Sequence, residues 1–243
     1  MTSKAAKRRV ITIIFAICGL PSCGQLKPEA QKTRTPESTY QYARVDAIYD
    51  VSADTWSYTA SMTLRKENAS GESAALMGGE NIVINGETII DNGSSTTPMY
   101  YVTKTGIPPA TFVFAWTATN GLLYSNECSW VEFAVSEVPS TQSKSSGFDI
   151  VLTLPNATGS AYGHMFQQTS NTYQSGEYIY KGISPSSPSA IMNFLSSHMA
   201  SLSAGSSSLK LEWANSSFLT NATAAGGTCS VVVSRKYTVM LTN

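Results

Sequence analysis

The chain has 243 residues, 42% of them hydrophobic and only 13% charged, with 16 basic residues against 16 acidic ones. Four of the basic residues (Lys4, Lys7, Arg8 and Arg9) stand in the first nine positions, which leaves 12 basic against 16 acidic residues beyond them. That acidic remainder argues against nucleic acid or an anionic membrane surface as partner, because both select clustered Lys and Arg.

Residues 1–22 read as an export signal. A basic start without acidic residues is followed by the apolar run Val10–Leu20 and then by Pro21, Ser22 and Cys23, the order of a secretory signal. Eleven apolar residues are too few for a bilayer core of about 30 Å, which takes about 20 in a helix. The Leu20-Pro21-Ser22-Cys23 ending resembles a bacterial lipobox. That resemblance implies cleavage after Ser22, lipid attachment at Cys23 and contact with a membrane through the lipid. Gly24 after the cysteine lacks the acidic residue of an inner-membrane retention signal, so the outer membrane is the expected destination. Residues 23–38 carry Pro28, Pro36, several charges and no apolar period, as a tether would.

From residue 39 onward the pattern is that of strands. Serine and threonine together number 61, and Thr alternating with aromatic residues is strand composition. In Thr55–Leu64, Trp56, Tyr58, Ala60, Met62 and Leu64 alternate with hydroxyl residues, and Phe112, Phe114 and Trp116 repeat the alternation. A period of two assigns each set to one face of a strand. Asn85-Gly86, Asn92-Gly93 and Asn120-Gly121 mark hairpin turns, because both residues of a type I′ turn need positive φ. Ile82 and Ile84 are expected to pair with Thr88 and Ile90 across the first of these turns, and the Trp116 strand with Leu122–Tyr124 across the third. These features predict an antiparallel β-sandwich over 39–138.

Ser136–Gly147 contains one apolar residue, Val138, and is expected to be a linker. A second sandwich is predicted over 148–243, with strands at Phe148–Leu154, Tyr178–Lys181, Leu209–Trp213 and Cys229–Leu241. Within it Ile191, Phe194, Leu195, His198, Met199 and Leu202 fall at helical spacing. That stripe predicts a helix over 188–204, with Ser187 as N-cap, Pro188 in the first turn and Gly205 just past the end. The fold class expected is all-β, with two immunoglobulin-like antiparallel sandwiches, the second carrying this helix.

The Ile82–Gly86 hairpin and the Phe114–Gly121 strand and turn resemble those of tandem immunoglobulin-like lipoproteins of unknown role in Gram-negative bacteria. The resemblance implies binding at the envelope, with an envelope protein or a glycan as partner.

Residues that carry chemistry are sparse. The two histidines, His164 and His198, have no ligand-spaced partners in the sequence, so no metal site and no cofactor is expected. Asp46, Asp50 and Asp54 recur every four residues, but on a strand Asp46 and Asp50 would sit about 13 Å apart, so a solvated face with a turn at 52–54 is the reading. No catalytic motif is found. The chain is therefore expected not to be an enzyme; a hydrolase with a shallow site between the domains and a structural envelope component are the alternatives. Cys128 and Cys229 are an even pair in an oxidising compartment and are candidates for a disulfide tying the two domains, the alternative being two buried thiols. Tyr173, beside Ser175-Gly176, is the candidate ligand-contact aromatic, and the other tyrosines read as core.

Overall fold

The alternation of apolar and hydroxyl residues becomes sixteen strands and one helix of four residues in the computed structural model, which describes residues 34–90, 98–156, 158–167, 178–183 as backbone, and 187–243. In chain order these are β1 (Thr39–Asp50), β2 (Thr55–Lys66), β3 (Ser73–Ala74), β4 (Asn81–Ile84), β5 (Glu87–Ile89), β6 (Tyr100–Thr105), β7 (Thr111–Thr117) and β8 (Leu123–Ser129). There follow β9 (Ala134–Val135), β10 (Thr141–Ser143), β11 (Phe148–Thr153), β12 (Ser160–Phe166), β13 (Tyr178–Ile183), β14 (Ser189–Phe194), α1 (Ser196–Met199), β15 (Gly205–Phe218) and β16 (Gly227–Thr242).

Nine strands form one large sheet, whose main path runs β13-β12-β15-β16-β1-β2. On the far edge of β2, β6 pairs with Ser57–Met62 and β3 with Leu64 and Arg65. The central contact is parallel: Gln41–Asp50 of β1 lies against Gly227–Lys236 of β16, and β10 continues along β16 at Met240–Thr242. Two smaller sheets, β5-β4-β7-β8 and β14-β11-β9, cover one face of the large one. Tyr58 of β2 meets Phe112 of β7 edge to face with ring centroids 5.3 Å apart. On β12, Gly163 leaves room for Met192 and Phe194 of β14, into which any side chain at 163 would run. A single buried apolar cluster joins Val45, Met62, Phe114, Ile150, Met192, Leu211 and Val233.

One end of the space between the sheets is closed by polar groups. The Arg34 guanidinium pairs with the Glu80 carboxylate and donates to Thr39 Oγ1 and to Ala75 O at 3.3 Å each, with the Trp116 ring 5.5 Å away. Asn126 on β8 receives the Asn221 backbone N–H and donates to the Asn221 carbonyl, both at 2.8 Å, which ties down the loop between β15 and β16. Unpaired charge or amide at such depth would be costly, and mutual pairing removes most of that cost. Beside this plug, Cys128 on β8 and Cys229 on β16 are joined in a disulfide with Cα atoms 6.1 Å apart.

The all-β sandwich expected from the sequence is present, with four differences of detail. Residues 34–243 form one compact unit, so the division into sandwiches at 39–138 and 148–243 gives way to a single sandwich whose large sheet draws strands from both. The presumed linker contributes β10, paired to β16; a polar edge strand and a linker share the same composition, and a parallel pairing between distant segments leaves no local mark. The helix predicted over 188–204 is replaced by β14, where Met192 and Phe194 are buried while Ile191 is exposed, and by the short α1. Exposed Ile191 and Leu195 produced the misleading helical stripe, and Pro188 accepts a strand-end hydrogen bond from Leu154 N–H. At Asn85-Gly86 both residues have positive φ (50° and 81°). The hairpin closes with Ile84 opposite Glu87 and Ile82 opposite Ile89, one residue tighter than expected, because a two-residue turn leaves no spare position. The Asn92-Gly93 turn lies outside the described residues. No described helix is long and apolar enough to cross a membrane.

Phe112, Phe114 and Trp116 are fully buried, and Trp116 pairs with Tyr124 across the Asn120-Gly121 turn. Denaturant melts of Trp116→Ala should show a loss of about 3–5 kcal/mol, with Thr117→Ala on the opposite face costing less than half as much. Gly121→Val should also destabilise, since Gly121 holds φ at 80°. Replacing both Cys128 and Cys229 by alanine releases a bridge between residues 101 apart. The same melts should show about 2–5 kcal/mol lost, matched by the wild type under reductant.

Candidate binding cleft

The end of the sandwich opposite the polar plug is open. Register places Tyr49 of β1 beside Trp56 of β2 and beside Arg235 of β16. All three continue the inward face of their strands past the last fully buried residues, Ala47, Ala60 and Val233. Tyr49 stacks on Trp56 with centroids 5.0 Å apart and planes 29° from parallel, and the Arg235 guanidinium lies 5.5 Å from the Tyr49 centroid. The segment after β8 covers this row: Trp130 packs edge to face on Trp56 at 5.2 Å and donates its indole N–H to Pro109 O at 2.6 Å. Arg235 donates to the Phe133 carbonyl at 3.1 Å and pairs with the Glu132 carboxylate. A cleft of about 620 Å³ remains between these walls, lined by Tyr49, Asp54, Trp56, Ile107, Glu132 and Arg235, with Thr55, Thr105 and Gly106 at its rim. That volume lies in the range of ligand sites.

Its electrostatics are set by pairs. The Tyr49 phenol donates to Asp54, and this hydrogen bond, with desolvation behind it, pushes the phenol above its usual range. Asp50 accepts from Ser52 and Ala53 N–H and pairs with Lys236 at 3.2 Å, while Asp46 pairs with Arg44 at 2.7 Å. The three regularly spaced aspartates thus go to three different partners around a turn at 51–54, and no cluster of metal-ligating side chains occurs among the described residues.

A second polar group sits on the outer face of the large sheet. His164 Nε2 is 2.5 Å from Glu212, whose carboxylate also takes Lys210 at 2.7 Å and the Ser234 hydroxyl at 3.1 Å. Strand pairing between β12 and β15 supplies the carboxylate partner of His164 that no nearby residue in sequence offers. The order is serine to carboxylate to histidine: Ser234 gives its hydrogen directly to the Glu212 carboxylate, which His164 and Lys210 also engage, whereas in a catalytic triad the histidine stands between serine and carboxylate. Burial alone would raise the Glu212 carboxyl, but hydrogen bonds from His164 and Lys210 hold it down at about 2.

Cys23 and Tyr173 lie outside the described residues. Tyr100 is buried and its hydroxyl receives Leu76 N–H at 2.9 Å, a core tyrosine. His198 is half-buried and accepts Leu195 N–H at 3.2 Å. Sequence reasoning put Trp56 on the inward face of its strand but did not gather Tyr49, Glu132 and Arg235 beside it. Only the register of three strands brings them together.

No family model and no curated protein matches the chain. Among solved structures it is similar to a 1.5-MDa bacterial ice-binding adhesin studied for its host cell surface retention, at 9% identity and a TM-score of 0.25 over 86% of this chain and 66% of that one. It is also similar to SGBP-B of the Bacteroides ovatus mixed-linkage glucan utilization locus, in complex with a mixed-linkage heptasaccharide, at 12% identity and a TM-score of 0.17 over 74% and 53% of the two chains. The chain thus spans about two thirds and about half of the lengths of these structures.

The lowered Glu212 carboxyl gives a signed pH dependence. Its contribution is fully present above the unfolded value of 4.5 and is lost as pH falls through the folded value of about 2. Denaturant melts from pH 6 down to 2 should show the stability gap between wild type and Glu212→Gln narrowing across that window and constant above it.

Proposed function

We propose that the protein is an exported, lipid-anchored binding protein of the bacterial envelope that performs no chemistry on its ligand and holds it in the open cleft of Tyr49, Trp56, Glu132 and Arg235. The single observation that carries the site is the half-buried Tyr49–Trp56 stack at the mouth of the sandwich, flanked by two carboxylates and a guanidinium. Large rings held rigid at a rim contribute contact area at little entropic cost. The export signal and the Leu20–Cys23 ending support the address. Pairing also fits a binding role: Asp54 is engaged by Tyr49 and Glu132 by Arg235, so each carboxylate is held in place as part of the cleft wall.

Expression in a Gram-negative host followed by mass spectrometry of the N-terminus should find Cys23 acylated; an unmodified N-terminus elsewhere refutes the anchor. A screen of immobilised envelope glycans and proteins should find a ligand that wild type binds and recovers unchanged, and that Trp56→Ala loses. Release of cleavage products from that ligand would instead establish the hydrolase reading.

A further inference from the structure

We propose that the ligand of this cleft is a neutral, hydroxyl-rich glycan chain, with the Tyr49–Trp56 ring row as the apolar wall against which a sugar ring packs and with Asp54 and Glu132 as acceptors for its hydroxyl hydrogens; this rests on the cleft being the binding site. The argument is one of matching bonding capacity. An aromatic wall beside carboxylates suits either a cation or a polyol, since a cation is drawn to a ring face and the C–H face of a sugar packs on it. Here the cationic place over Tyr49 is taken by the chain's own Arg235, 5.5 Å from the ring, and held there by Glu132 and the Phe133 carbonyl.

The acceptors are half used. Asp54 Oδ1 receives the Tyr49 hydroxyl and Glu132 Oε1 receives Arg235, while the second oxygen of each carboxylate has no hydrogen bond among the described residues. Two unspent acceptors in one cleft call for a ligand with several donors. An apolar molecule would strip water from both carboxylates and return no hydrogen bond. An anion would face two negative charges against one guanidinium. The walls add the Thr55 and Thr105 side chains and the exposed Ile107. A mixed lining of this kind meets a molecule whose edges bear hydroxyls and whose faces bear C–H. The cleft is open to solvent, which lets a chain longer than the cleft enter from the side.

The test uses the full chain from residue 23 onward, with intrinsic tryptophan fluorescence and calorimetry as readouts. The probes are neutral hexasaccharides (maltohexaose, cellohexaose, xylohexaose and a mannohexaose), with spermine as the cationic probe. At least one neutral probe is expected to bind, with affinity unchanged within twofold between about 0.05 and 0.5 M salt, because no net charge is neutralised. Trp56→Ala should weaken it by about tenfold or more, the scale of one aromatic contact. Glu132→Gln, at a side chain 46% exposed, should also weaken it while leaving the thermal melt of the protein in place, so that a folding defect in Trp56→Ala does not decide the matter. Binding of spermine in the cleft, lost in Glu132→Gln and abolished by salt, with no neutral probe bound, would overturn the glycan assignment and leave the cleft as the site. Binding of a neutral probe unaffected by either substitution would overturn the cleft itself.

Discussion

Ten residues of β1 paired in parallel with β16 set the terms for everything else in this fold. A parallel pair cannot be closed by a hairpin and needs a long crossover. Here the crossover is nearly the whole protein, and both covering sheets are made along the way. The same register decides which side chains share a face. A slip of one residue in β16 would move Arg235 to the opposite face of the sheet and would remove the guanidinium from Tyr49. It would also turn Cys229 away from Cys128. The inward alternation of Ala43, Val45 and Ala47 against Val231 and Val233 prevents that slip, because every apolar residue of the strand would be exposed at once.

The two ends of the sandwich show how one architecture both seals and opens. Toward the start of β1 the gap between sheets is filled with polar groups that pair with one another: Arg34 with Glu80, Asn126 with Asn221, and Thr223 donating to the Thr39 carbonyl at 2.6 Å. Toward its end the gap is walled with rings whose edges and charges are only partly engaged. The sealed end gains order from these hydrogen bonds, although Glu80 Oε1 and Gln41 Nε2 are buried there without a hydrogen-bond partner among the described residues. At the open end the polar groups face solvent. Trp130 links the second pattern to the frame, because its indole holds the loop before β7 by the Pro109 carbonyl while its ring supports Trp56.

Much of the fold can be read in the sequence, and what escaped it has two causes. The inward sets in β2 and β7, the all-β class and the Asn85-Gly86 turn follow from local alternation and from φ requirements that act within a few residues. The helix expected over 188–204 failed because Ile191 and Leu195 are apolar yet exposed, and a period can be counted only if burial and polarity agree. The single sandwich, the pairing of β10, the carboxylate beside His164 and the membership of the cleft all depend on contacts between residues separated by tens to nearly two hundred positions. Local pattern contains no information on such register, although it does place Trp56 and Arg235 on strands.

The disulfide has a further consequence for a chain exposed to proteases. Cys128 and Cys229 enclose β9 to β15. Most of the cleft lies outside that loop: Tyr49, Asp54, Trp56 and Ile107 precede Cys128, Arg235 follows Cys229, and Glu132 stands just inside. One backbone cut anywhere between residues 133 and 228 leaves two fragments that stay covalently joined. The strands that make the Tyr49–Trp56–Arg235 row then remain on the same molecule, with β1 still zipped to β16. A nicked protein thus keeps the strands that wall the cleft on one covalently joined molecule.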